Sequence, residues 1–149
     1  MIPPPPHALL PELKIGDYTL PVASLLKLDP EALDEAYQAQ ASWFATLSYQ
    51  ESQLESKIRR KERHIKELEA SHYGQIAERG GKKPAEAAIK ALISISTPVR
   101  HAYKELFDLE EERDAWAAVR QGLAQKKDMM VNLGASKRLD QKSNLGARD

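Results

Sequence analysis

The densest chemistry in the chain lies between residues 57 and 66. Lys57-Ile-Arg-Arg-Lys-Glu-Arg-His-Ile-Lys66 carries Lys57, Arg59, Arg60, Lys61, Arg63 and Lys66, opposed only by Glu62. On a helix, Arg59, Arg63 and Lys66 fall on one face at i, i+4 and i+7, and Arg60 sits three residues before Arg63. Like charges at these spacings repel and weaken the helix that carries them. A nucleic-acid strand relieves that repulsion and releases its own condensed counterions in the process. His72 and Tyr73, about two turns further on, offer a stacking face for an unpaired base. The same stretch also fits a solvated flank of a coiled coil whose cations pair with acids on a second helix, and at the level of sequence both readings stand. A membrane surface fits less well, because no strongly apolar face lies opposite the cations.

Other constellations offer less. His7, His64, His72 and His101 never pair at i, i+3 or i, i+4, so no helical metal motif forms. Glu105, Asp108, Glu110, Glu111, Glu112 and Asp114 make an acidic stretch. Without histidine partners or a loop scaffold, it reads as a solvated face or an interhelical ion-pair surface rather than an acid–base pair. Arg79-Gly80-Gly81-Lys82-Lys83-Pro84 suggests a phosphate loop, but the Gly-x4-Gly-Lys-Ser/Thr spacing is missing and a helix, not a strand, precedes it. Its cations and backbone N–H groups still suit nonspecific contact with phosphate esters. No Gly-x-Ser-x-Gly elbow occurs, and the absence of cysteine removes thiolate catalysis and cysteine-held metals. The expectation is a protein without catalytic residues, metal or cofactor.

These side chains need long helices to position them. Aromatics are 6% of the 149 residues and glycines number seven, a thin supply for an all-β domain. The charge sums to zero but is unevenly spread: −4 over residues 1–50, +3 over 51–90, −3 over 91–114 and +4 over 115–149. Such blocks allow a local basic face on a neutral protein. Met1-Ile-Pro-Pro-Pro-Pro-His7 has no basic region before an apolar stretch, unlike a secretory signal, and no run is apolar enough to span a membrane. A cytoplasmic protein is expected.

The pattern divides the chain into a Pro-rich irregular arm over 1–29, a helical domain over 30–136 and a basic tail over 137–149 that frays. Pro3 to Pro6 favour an extended arm, yet Leu9, Leu10, Leu13, Ile15, Leu20, Val22, Leu25, Leu26 and Leu28 make it too apolar to stay solvated. It packs on its own domain or docks on a neighbouring subunit. Asp29-Pro30 supplies an N-cap and N1 residue, and neither Pro nor Gly recurs before Gly74. Leu33, Tyr37, Gln40, Phe44, Leu47, Glu51, Leu54, Ile58, Lys61, Ile65, Leu68 and His72 hold a heptad phase, the seam of a coiled coil or long hairpin. Helices are expected over about 30–78, 84–95 and 98–134, the last opened by Thr97-Pro98 and striped by Val99, Ala102, Leu106, Leu109, Trp116, Val119, Leu123 and Met130. Two long antiparallel helices with a short one between them follow, in an all-α fold.

The order of these elements resembles the phage recombination mediators of the UvsY type over roughly residues 18–138. The likeness rests on a long helix with Tyr37 and Trp43-Phe44, the basic stretch, His72-Tyr73-Gly74, a hinge and a short helix. A last long helix then carries Trp116 and closes on Lys127-Asp-Met-Met-Val-Asn-Leu-Gly-Ala-Ser-Lys-Arg138. The resemblance implies a small non-enzymatic helical protein in a ring-like homo-oligomer. It would bind single-stranded DNA, help displace the phage single-strand binding protein and load the phage recombinase. Family members bind the strand through basic residues near the end of the first long helix. Arg63 and Lys66 occupy that region here, with Arg59 and Arg60 upstream, and Glu67 and Glu69 depart from a basic run.

Together these readings give a candidate DNA surface of Lys57, Arg59, Arg60, Arg63, Lys66, His72, Tyr73, Arg79, Lys82 and Lys83. They also give an oligomer seam of Phe44, Leu47, Leu54, Ile58, Ile65, Leu68, Leu106, Trp116 and Leu123. The expected partners are single-stranded DNA, further copies of the chain, a recombinase and a single-strand binding protein, with no membrane. A coiled-coil adaptor or assembly protein that binds no nucleic acid is the alternative.

Overall fold

The computed structural model describes residues 12–15, 18–79, 81 and 84–146. Its order is β1 (Glu12–Ile15), β2 (Tyr18–Pro21), α1 (Val22–Leu26), α2 (Leu33–Glu78), α3 (Glu86–Ile95) and α4 (Thr97–Gly146). The fold is all-α apart from the small ribbon. β1 and β2 pair antiparallel with Glu12 opposite Pro21 and Ile15 opposite Tyr18. The irregular arm expected over 1–29 is therefore ordered in its described part. Pro21 closes the ribbon and opens α1, where a residue without an N–H costs nothing.

The helix boundaries follow local chemistry. Asp29 Oδ1 accepts the Glu31 N–H at 3.0 Å, and the Asp29 carbonyl accepts from Ala32. The Asx turn over Asp29–Glu31 and the Ala32 bond keep residues 30–32 out of the helix, so α2 starts at Leu33, three residues after the expected start. α3 opens at Glu86 rather than 84, after Ala85 in extended conformation. A single extended residue, Ser96, separates α3 from α4; its carbonyl accepts the Arg100 N–H at 3.0 Å, so it takes the cap position expected of Thr97. α4 does not stop near 134. It continues to Gly146, so residues 137–146 of the expected tail are helical.

The chain forms two compact units, and α2 and α4 contribute to both. The first comprises residues 1–49 and 116–149. Its core holds Val22, Leu25, Leu47, Trp116, Val119, Leu123 and Met130. Gln40 reads the register from within this core: its Nε2 donates to the Leu123 carbonyl at 2.6 Å. Arg120 lies over the Phe44 ring at 5.8 Å, and Lys137 reaches Glu31 at 3.6 Å. Partner numbers on α2 rise as those on α4 fall, so the segments are antiparallel. α1 lies against α4, with the Lys126 ammonium donating to the Leu25 carbonyl at 2.9 Å. A Cβ on Gly122 would meet the Leu26 methyls at 3.1 and 3.2 Å, so this glycine lets α1 approach. Gln40→Glu is expected to cost about 2 kcal/mol at neutral pH, because a buried carboxylate would face a carbonyl. Stability should recover as the pH falls and the acid regains a proton to donate. Urea unfolding at two pH values measures both effects.

The second unit is residues 50–115. Ile58, Ile65, Ala102 and Leu106 form one apolar cluster between α2 and α4, with Leu68 and Leu109 packed against it. Ile89, Ile93 and Val99 form another beneath α3, packed on by Leu68, Tyr73, Ile76 and Ala77. The segments are antiparallel here also: Glu55 pairs with Arg113, Lys61 with Glu105 and Glu69 with Tyr103.

The seam expected to face other subunits is largely turned inward. Leu47, Leu54, Ile58, Ile65, Leu106, Trp116 and Leu123 are buried within the chain, Leu68 is half-buried, and only Phe44 is exposed. The heptad phase thus records intramolecular pairing of α2 with α4. Leu92, Ile95 and Phe107 are exposed apolar side chains of the second unit.

Candidate nucleic-acid interface

The basic stretch lies in the second unit, on the helical run from Gln50 to Glu78. Its helical phase is fixed by the burial of Leu54, Ile58 and Ile65. At roughly 100° per residue, Arg59, Arg63 and Lys66 share an arc turned about 120° from the Ile58–Ile65 stripe. Lys57 and Arg60 lie on the other flank. All five are exposed, and none has a carboxylate within ion-pair distance among the described residues.

Lys61 behaves differently. It sits beside the apolar stripe and its ammonium meets Glu105 Oε2 at 2.7 Å. Arg113 similarly bridges Glu55 at 3.2 Å and Asp114 at 2.8 Å, and the Asp114 hydrogen bond is the main reason its guanidinium pKa is raised. The acids of α4 thus include partners for α2, as expected of an interhelical ion-pair surface. Glu105 of α4 serves Lys61 and Glu55 of α2 serves Arg113, and the outward row is left without a carboxylate partner among the described residues.

Glu105 gives a pH signature. The Lys61 hydrogen bond holds its carboxyl below the ordinary carboxylate range, with burial opposing and the charges of Lys61, His101 and His64 assisting. A depressed folded pKa contributes stability that is fully present above the unfolded value and lost as the pH falls through the folded one. Glu105→Gln should therefore flatten the acid limb of a urea-midpoint profile while changing the neutral value little, since the pair is solvent-screened.

His72 and Tyr73 are half-buried, and Arg79 is exposed beyond the end of α2. Lys82 and Lys83 lie outside the described residues. Tyr73 packs on the Ile89–Ile93 cluster and also lines an open groove of about 900 Å3. Lys66, Glu69 and Ala70 complete the α2 wall; Lys90, Ile93 and Ser94 come from α3 and Tyr103 from α4. The Tyr103 hydroxyl donates to Glu69 Oε1 at 2.9 Å. That bond, then burial and the Glu69 charge, raise the phenol pKa above its ordinary value. Glu69, Lys90 and Tyr103 went unmarked in the sequence, because only the fold of α3 and α4 onto α2 brings them beside Lys66. The available signal was the antiparallel register, which sets the end of α2 opposite the start of α4.

His64 and His101 line a smaller groove with Glu105, and His101 Nδ1 lies 3.6 Å from its carboxylate. Among the described residues, no group of three or more histidine, cysteine or acidic side chains is arranged to hold a metal ion. No helix among them is long and apolar enough to cross a membrane. Comparison with family models, characterised proteins and solved structures finds no match to the chain.

Proposed function

We propose that the chain is a single-stranded DNA-binding recombination mediator that acts as a homo-oligomer and helps load a recombinase onto strands covered by single-strand binding protein. The observation that carries this reading is the outward row of Arg59, Arg63 and Lys66, exposed and without carboxylate partners among the described residues. Like charges at i, i+4 and i+7 cost the helix a few tenths of a kcal/mol per pair. A polyanion that neutralises them recovers this cost along with counterion entropy. No catalytic step enters the proposal: binding, multiplicity and partner contact suffice, and several weak sites on one particle gain strength through effective concentration. Exposed Leu92, Ile95 and Phe107 supply apolar surface for further copies or protein partners. The recombinase and the ring-like assembly rest on the resemblance to phage mediators.

Fluorescence anisotropy with a labelled single strand, at low and high salt, tests the reading when run beside light scattering for mass. Salt-sensitive binding by a multimer is the expected result. The competing reading, a coiled-coil adaptor, is favoured by the Lys61–Glu105 and Arg113–Glu55 bridges, which are the interhelical pairs it requires. A multimer with no affinity for DNA at any salt concentration selects the adaptor.

A further inference from the structure

We infer that the groove beside Lys66 holds an unpaired nucleobase of the bound strand, which makes it a base-stacking site at the end of the cationic row. The inference rests on the DNA-binding reading and adds to it a position for the base.

The cationic row runs without a break into the groove. Arg59, Arg63, Lys66, Ala70 and Tyr73 follow one another at i, i+4, i+7, i+11 and i+14, one face of α2 over roughly 21 Å. The face is cationic as far as Lys66. It then becomes a small residue followed by an aromatic one where α3 and α4 close the other walls. A strand tracking the cations is led into the groove.

The charge layout of the groove favours a base over a phosphate. Lys66 and Lys90 are exposed, whereas half-buried Glu69 lies between the helices with its Oε1 taken by the Tyr103 hydroxyl. A phosphate is attracted to Lys66 and repelled by the Glu69 carboxylate, and it gains less from Lys90, whose ammonium lies 3.1 Å from Glu86 Oε1. A neutral base escapes that repulsion, and Glu69 presents an acceptor that matches an exocyclic amino group. Tyr73 and Tyr103 are the kind of rings on which bases stack irrespective of sequence. At about 900 Å3 the groove lies within the usual range for small-ligand sites, ample for one base.

The test compares a labelled homopolymer strand with an abasic strand of the same length and charge, by anisotropy across a salt series. The base-carrying strand should bind between roughly 5- and 150-fold more tightly per base held, with the same salt slope. Ala70→Leu, an exposed helical position where leucine is well tolerated, should fill the groove and erase that preference while leaving the salt slope intact. A strand containing 5-iododeoxyuridine should photocross-link wild-type protein at Tyr73 or Tyr103, a readout independent of how the variant folds. Equal affinity for both strands, with cross-links elsewhere, overturns the groove site and leaves the DNA-binding reading standing. Failure of both strands to bind overturns the groove site and the DNA-binding reading together.

Discussion

Replacing Arg59, Arg63 and Lys66 together with alanine is expected to weaken single-stranded DNA binding about 100-fold at 0.1 M salt. On a single strand each phosphate contact contributes about 0.7 to the slope of log affinity against log salt, so three lost contacts flatten it by about 2. The loss should be uniform across sequences, because phosphate contacts carry no sequence information. Unfolding offers no rival explanation. The three side chains are exposed, alanine is the better helix former, and their removal relieves like-charge repulsion. Lys104→Ala, an exposed cation on α4 away from the row, serves as the control and should leave affinity nearly unchanged. An unaltered slope in the triple variant would remove the row from the interface and return the basic stretch to the role of a solvated flank.

The second large effect concerns Ile58, which is 3% exposed and packs with Ile65, Ala102 and Leu106. Ile58→Asp loses a buried aliphatic side chain and places a charge in the cluster without a partner. A cost of at least about 4 kcal/mol is expected, a large part of the roughly 5–15 kcal/mol that holds an ordinary domain folded. The informative control is Ile58→Ala, whose cost of about 2–5 kcal/mol leaves a population to measure. If the cluster is intramolecular, the urea midpoint of this variant falls below that of the wild type by the same margin at every protein concentration. A margin that widens with concentration would instead mean that the wild type gains from association and that Ile58 contributes to it.

The helices were legible because their signals are local. The N-cap and Pro pairs at 29–30 and 97–98, the absence of breakers from 31 to 73 and the heptad spacing place α2 and the start of α4 within a few residues. What the pattern could not say is which partner fills the seam. A heptad stripe reads the same whether the facing helix belongs to the same chain or to another, and contacts such as Gln40 with Leu123 decide it. The ribbon was missed because the prolines and the apolar run dominated residues 1–29. The reach of α4 to Gly146 is not legible in the sequence because periodicity fades after residue 134, where the helix has no buried stripe. Residues 135–144 are exposed and still helical. At the candidate interface the cations were visible in one dimension, whereas the groove depends on the fold of three helices.

Gly122 and two other helical glycines carry a consequence for divergence. A Cβ at Gly74 or Gly134 would meet nothing within 4 Å, whereas one at Gly122 would press on Leu26. Alanine is worth about 1 kcal/mol over glycine inside a helix, so positions 74 and 134 should drift toward alanine in descendants of this chain. Position 122 should keep glycine, or change only together with a smaller side chain at 26. A lineage that loses the glycine and keeps the leucine would have given up the close seat of α1 on α4.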